Sequence, residues 1–232
     1  MRKYRVCILG AKFTKNKSPN SLTNFIPIFP LALVPYPEVP LHLHIFEPRY
    51  KQLITECFEQ KKPFGIPVVV NNKMMDHGTL MEITEISKIY DDGKMDIKTK
   101  GLCVFRVLEI IKDIPDKLYS GSIVSYLHDF PNGSKQMMQV LIEQMRKLHL
   151  DLGVHKELPK PDEALRSFDI APHVGLTIEE EFQILQYENE LHRQEFLKRH
   201  FAKIVPVVTE MQSLKKKVQM NGHFKDLKGF NL

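Results

Sequence analysis

With 232 residues, 43% hydrophobic and 26% charged, the chain can bury a substantial core and has the make-up of a globular protein. No apolar stretch reaches the roughly 18 residues that a spanning helix needs, so no membrane partner is expected. Three widely spaced cysteines, Cys7, Cys57 and Cys103, argue against a disulfide framework or paired-cysteine zinc site and point to a reducing, cytoplasmic setting.

The net charge of +5 is unevenly spread: residues 1–20 carry six Lys/Arg and no acid, and residues 191–232 carry nine against three acids. The body between them, 21–190, holds 18 basic and 25 acidic residues. An acidic body with basic ends is not the footprint of a nucleic-acid surface, and the charge runs read as solvated ends.

Residues 1–23 form a basic arm without periodicity, its apolar patch too short for a secretory signal. Phe25–Val34 and Leu41–Phe46 then have the β-branched and aromatic content of strands. Prolines at 27, 30, 35, 37 and 40 cannot donate to a ladder, so these strands are expected to be short, bulged or at an edge. Pro48 suits the first turn of a helix whose Tyr50, Leu53, Ile54, Cys57 and Phe58 recur at helical spacing. Further strands are expected at Phe64–Val70, Gly78–Tyr90, Lys94–Arg106 and Tyr119–His128. Asp91-Asp92-Gly93 is a hairpin signal, because glycine supplies the positive φ such turns require.

After Pro131-Asn132-Gly133 the period becomes helical. Met137, Leu141, Met145 and Leu148 form a stripe behind Ser134, a suitable cap. Pro161 suits a first helical position, Gly175 a helix end, and Thr177 to Glu180 has capping-box spacing. Asn189 is placed to cap the last helix, where Leu197, Phe201, Ile204, Val208 and Met211 form a seam for packing on another helix. Pro206 predicts a kink in it. The plan is α+β: a β-rich part at 24–130 with about six mostly antiparallel strands and one helix, a helical part at 131–215, and a polar tail at 216–232.

Pro30-Leu31 followed by His44-Ile45-Phe46-Glu47-Pro48-Arg49-Tyr50 resembles the opening signature of the amino-terminal substrate-binding domain of Lon-type proteases, in its stand-alone form. Gly78-Thr79, Asp92-Gly93, Gly101 and Phe105-Arg106 are similar to the family's second block, and His173 through Glu181 to its later helices. Glu38 stands where a glycine is usual, His42 where a proline is usual, and Val104 in place of an arginine. The resemblance implies a PUA-like pseudo-barrel joined to a helical bundle, and a module that holds unfolded or hydrophobic polypeptides without cofactor or chemistry of its own. It would serve as an adaptor in protein quality control, with a separate protease or chaperone as partner. PUA-like barrels elsewhere hold RNA, which makes nucleic-acid binding the alternative; the acidic body and the lack of an interleaved basic and aromatic stripe make it the weaker one.

Gly10-Ala11-Lys12 lacks the spacing of a phosphate-cradling loop, which argues against ATP hydrolysis. Lys117 with Ser120, Ser122 and Ser125 is an ordinary loop-to-strand set rather than a catalytic dyad. His42 and His44 share one face of a strand with Glu47 close behind; a metal would need a fourth group that the sequence does not supply. Cys57 lies on an apolar helix stripe, where a small buried side chain outweighs a nucleophile. The candidate peptide-contact residues are therefore Tyr36, Pro37 and Val39 in an apolar, proline-stiffened loop, with Phe46, Arg49 and Tyr50 at the strand-to-helix corner. Arg49 is expected either to fork onto a bound chain or to pair with Glu47.

Overall fold

The computed structural model describes residues 23–158 and 160–226, with side chains to Val218. Apart from Thr23, the basic arm lies outside the described residues, as does the end of the polar tail. In chain order the elements are β1 (Thr23–Pro27), β2 (Pro40–Ile45), α1 (Pro48–Glu59), β3 (Phe64–Val70), β4 (Lys73–Ile89), β5 (Met95–Ile111), β6 (Gly121–Tyr126), α2 (Lys135–Leu152), α3 (Ser167–Ile170), α4 (Ile178–Leu185) and α5 (Glu190–Asp226). Single 3-10 turns lie at Asp162–Ala164 and Ala171–His173. Two compact units result: the chain through Asn132 together with Leu176–Glu190, and Gly133–Gly175 with the segment from Leu191 onward. The segment 176–190, expected among the helices of 131–215, thus groups with the strands.

In the first unit every strand pair is antiparallel, in the order β1-β6-β5-β4-β3, with β2 also on β5. A strand has only two edges. Along one edge of β5 lies β4, while β2 occupies the other at Met95–Lys100 and β6 takes it over at Phe105–Ile111. Register shifts at Leu80/Met81, Ile83/Glu85 and Ile86/Lys88 bend β4 and add twist, as bulges do, and curl the sheet around its core. That core is built from Leu53, Ile54, Phe64, Ile66, Met81 and Ile97 beneath α1, and from Ile28, Leu80, Phe105 and Val124 toward β6.

Two expected strands differ from those observed. Of Phe25–Val34 only the start pairs as a strand; past Pro27 the chain makes isolated parallel bridges at Ile28 and Leu31 to Gly65 and Val68. Conversely β4 begins five residues before Gly78, because Asn71 and Asn72 (φ 50° and 62°) close a two-residue hairpin between Val70 and Lys73. Both turn positions need positive φ, which asparagine tolerates. Asp91-Asp92-Gly93 closes the β4–β5 hairpin with Gly93 at φ 73°. Phe58, expected on the buried stripe of α1, is exposed.

The Thr177 cap forms: its hydroxyl accepts from Glu180 N–H at 3.2 Å and the Glu180 carboxylate accepts from Thr177 N–H at 3.1 Å. Phe130 fixes the exit from α4, donating to Glu188 and accepting from Glu190 at 2.9 and 3.0 Å.

In the second unit Ser134 caps α2 through the Met137 N–H, and Met138, Leu141, Ile142, Met145 and Leu148 are its buried stripe. Gly153 and Gly175, both at positive φ, end their segments. Pro161 caps the 3-10 turn instead of opening a helix. Leu197 and Phe201 of α5 are fully buried, and Arg193 lies buried with its guanidinium 4.2 Å from the Phe168 ring. His149 and His200 bond the successive carbonyls of His173 and Val174 at 2.7 and 2.9 Å, tying α2 and α5 to the turn before Gly175. The α5 helix continues through Pro206 as one assigned element.

Candidate functional site

The corner between β2 and α1 is organised by the Glu47 carbonyl, which accepts from Tyr50 and Lys51 N–H at 3.0 and 2.9 Å, with Pro48 in the first helical turn where no donor is needed. Arg49 donates from Nε to Glu47 Oε2 at 2.9 Å, places a second nitrogen 2.7 Å from the same oxygen, and lies 4.5 Å over the Tyr50 ring. The guanidinium is thus engaged in fixing the corner, though it stays solvent-accessible. Tyr50 is core: its ring centroid sits 3.9 Å from that of Phe29, and burial pushes its hydroxyl pKa up. It is not a surface contact.

The proline-rich loop is also not the exposed rim expected from its sequence. Tyr36 is only 2% exposed and Pro37 is buried, while Val39 is half-buried. The cause lies in β5. Gly101 has no side chain, and a Cβ there would collide with the Tyr36 carbonyl oxygen. The loop therefore lies flat on the strand, with Glu38 N–H donating to Gly101 at 2.8 Å and Pro37 bridged to it.

The exposed feature at this end of the sheet is aromatic. Phe46 is 57% exposed, its ring 6.3 Å from the His44 imidazole, which in turn meets the Tyr90 ring edge-on at 5.7 Å. Asp96 on the adjacent strand holds both neighbours: His44 Nδ1 lies 2.6 Å from one carboxylate oxygen and the Tyr90 hydroxyl donates to the other at 2.7 Å. The bonds from His44 and then Tyr90 hold the Asp96 carboxyl below the usual range. Lys88 Nζ covers Tyr90 at 4.3 Å, while Ile89, 67% exposed, pairs with the buried Met95 and so belongs to the other face of the strand. Lys51 of α1 donates to the Asp92 carbonyl at 2.8 Å, which anchors the hairpin tip to the helix. The result is an aromatic surface tied down by Asp96 and Lys51, with ionic groups at its margin.

Of the predicted contact residues, only Phe46 and Arg49 are largely exposed to solvent. Tyr90, Lys88 and Asp96 complete the aromatic surface and escape sequence reasoning, although the Asp91-Asp92-Gly93 turn was the available signal. A hairpin tip brings its flanking residues beside whatever strand pairs with it, here β2.

The other candidates are placed as follows. His42 and His44 lie exposed on β2, opposite Lys98 and Asp96, and no group of three metal-capable side chains occurs among the described residues. Cys57 is buried, and burial pushes its thiol up to about 12. Lys117 is engaged by Glu56 at 2.8 and 2.9 Å, while the Ser120 and Ser122 hydroxyls donate to the Lys112 and Glu109 carbonyls. Lys215, Lys216 and Lys217 are exposed on α5.

The first unit is a curled antiparallel sheet accompanied by α1 and α4, with an exposed aromatic corner where β2 meets α1. Residues 26–215 match the model of the ATP-dependent protease La (LON) substrate-binding domain, and the chain belongs to that family. It is similar to the LON peptidase N-terminal domain and RING finger protein C14F5.10c of Schizosaccharomyces pombe, with 26% identity over 109 residues, 39% of this chain. The matched part is 22% of that relative's length. The fold is that of the Lon N-terminal domain protein from Xanthomonas campestris (TM-score 0.60, 21% identity, 76% of this chain and 98% of that one). It is likewise that of the N-terminal domain of Mycobacterium avium complex Lon protease (TM-score 0.56, 11% identity, 78% and 99%). Among the described residues no helix is long and apolar enough to cross a membrane.

Proposed function

We propose that this chain is a non-catalytic polypeptide-holding module, acting as an adaptor that presents unfolded or hydrophobic segments to a separate protease or chaperone. The observation that carries the reading is the exposed corner of Phe46, His44 and Tyr90, held in one shape by the Asp96 carboxylate and the Lys51 anchor. A preformed apolar surface loses little entropy on binding, and extended polypeptide offers apolar side chains to cover it. Arg49 and Lys88 at its edge supply donors for backbone carbonyls or carboxylates of the bound chain.

The test is fluorescence anisotropy with a labelled, permanently unfolded polypeptide such as reduced, carboxymethylated lactalbumin. Phe46→Ser and Tyr90→Ser each weaken binding about tenfold, the loss of roughly 1.4 kcal/mol of apolar contact. Equal affinity of wild type and the double variant sinks the proposed surface. Cleavage of the polypeptide by the purified chain sinks the non-catalytic reading.

A further inference from the structure

The sequence seam on α5 is not buried along its whole length. Leu197 and Phe201 are buried, but Met211 at its end is 50% exposed. From Val207 a different stripe takes over: Val207, Met211, Leu214 and Val218 follow one another at intervals of four, three and four residues, and are 65%, 50%, 54% and 71% exposed. That is the spacing of an a/d seam, which pairs two helices along one line. Gln212 donates to the carbonyl of Asp151 in the last turn of α2, and α5 continues to Asp226 beyond that point. A helix extended past its packing partner is marginal in water unless its apolar face is covered.

We propose that the occupant of this face is a second copy of this chain, joined through a short two-stranded coiled coil of the α5 helices. The charges flanking the seam favour the same sequence as its partner. With Met211 at a and Leu214 at d, Glu210 falls at g, Lys215 at e and Lys217 at the next g. In a parallel pair Glu210 faces Lys215 of the other copy. In an antiparallel pair with Met211 against Leu214, it faces Lys217. Each orientation sets the acid of one copy against a lysine of the other, twice by symmetry. The seam is short, so the association is weak, on the order of micromolar.

Sedimentation equilibrium of the full chain over a concentration series tests this. Wild type is expected to pass reversibly from monomer to dimer, and Leu214→Glu to stay monomeric with an unchanged circular dichroism spectrum and thermal midpoint. Glu210→Lys alone, and Lys215→Glu with Lys217→Glu, each weaken self-association several-fold, and an equimolar mixture of these two chains recovers it as a heterodimer. A monomeric wild type at every concentration overturns the proposal. So does a dimer that survives Leu214→Glu, since the interface then lies elsewhere. Binding to mixed phosphatidylcholine–phosphatidylserine vesicles that is lost in Leu214→Glu, with no self-association, overturns it in favour of a membrane surface.

Discussion

The Tyr36 hydroxyl donates to the Glu181 carbonyl at 3.3 Å, joining the loop before β2 to the first turn of α4 across 145 residues of sequence. Burial, and then the neighbouring Glu181 charge, raise the Tyr36 pKa well above its ordinary value, so the group is a neutral donor. Removing the hydroxyl in Tyr36→Phe should cost about 1 kcal/mol, and removing the ring in Tyr36→Ala about 3–5 kcal/mol, read from denaturant midpoints. Tyr36→Phe should leave polypeptide affinity unchanged; a loss of affinity would return Tyr36 to the contact surface.

Glu38 adopts φ 64°, a left-handed conformation that costs a residue with a Cβ roughly 1–2 kcal/mol. Glu38→Gly removes that strain and keeps the N–H bond to Gly101, so even after the added chain entropy a gain of about 0.5–1 kcal/mol is expected. Gly101→Ala should do the opposite and unfold the first unit at much lower denaturant, because its methyl would meet the Tyr36 backbone. Equal midpoints for Glu38→Gly and wild type would show that Glu38 is not strained.

Glu56 on α1 accepts from Lys117, from the Tyr119 hydroxyl at 2.6 Å and from Gln52 at 3.0 Å. Burial pushes its carboxyl up, but the bonds from Lys117 and Tyr119, the Lys117 charge and the Gln52 bond outweigh it and hold the pKa below the ordinary value. A folded pKa below the unfolded one stabilises the protein while the carboxyl is ionised. That contribution is complete above the ordinary Glu value of about 4.3 and is lost as pH falls through the lower, folded value. Glu56→Gln should therefore be less stable than wild type at neutral pH, with the gap closing on acidification. A gap independent of pH would refute the ionic account.

His173 in the second unit has its pKa lowered by burial, with the Lys156 and His149 charges adding to the effect. Here the unfolded chain takes up the proton first. Stability is therefore complete above the ordinary His value of about 6.5 and falls as pH drops toward the folded pKa. His173→Gln should flatten that part of the pH–stability curve, measured by thermal unfolding between neutral and mildly acidic buffer.

Cys57, with its thiol pushed up to about 12 by burial, should resist Ellman's reagent in the folded chain. In a variant with Cys7 and Cys103 replaced by serine, the remaining thiol should react only as fast as the protein unfolds. Rapid labelling under native conditions would reopen Cys57 as a reactive group.

Much of the architecture was legible because it is set by near neighbours. The α1 stripe, the Ser134 and Thr177 caps and the Gly93 turn depend on residues within one or two turns of each other, and all four form, with Phe58 alone of the stripe exposed. The binding surface was less legible. Pro35 to Pro40 reads as an exposed rim by composition, yet Pro35, Tyr36 and Pro37 are buried where the loop lies against Gly101, more than 60 residues away. Tyr90 and Asp96 join Phe46 only through the pairing of β2 with β5.

The amino-acid order alone established an α+β chain with antiparallel hairpins, its helix ends and its family signature, since periodicity, caps and turns are decided locally. Which apolar side chains are hidden and which face outward was decided by tertiary structure. Tyr36 sinks and Phe46 emerges because strand register, bulges and a missing Cβ at residue 101 determine where distant segments meet, and a linear reading has no term for that distance.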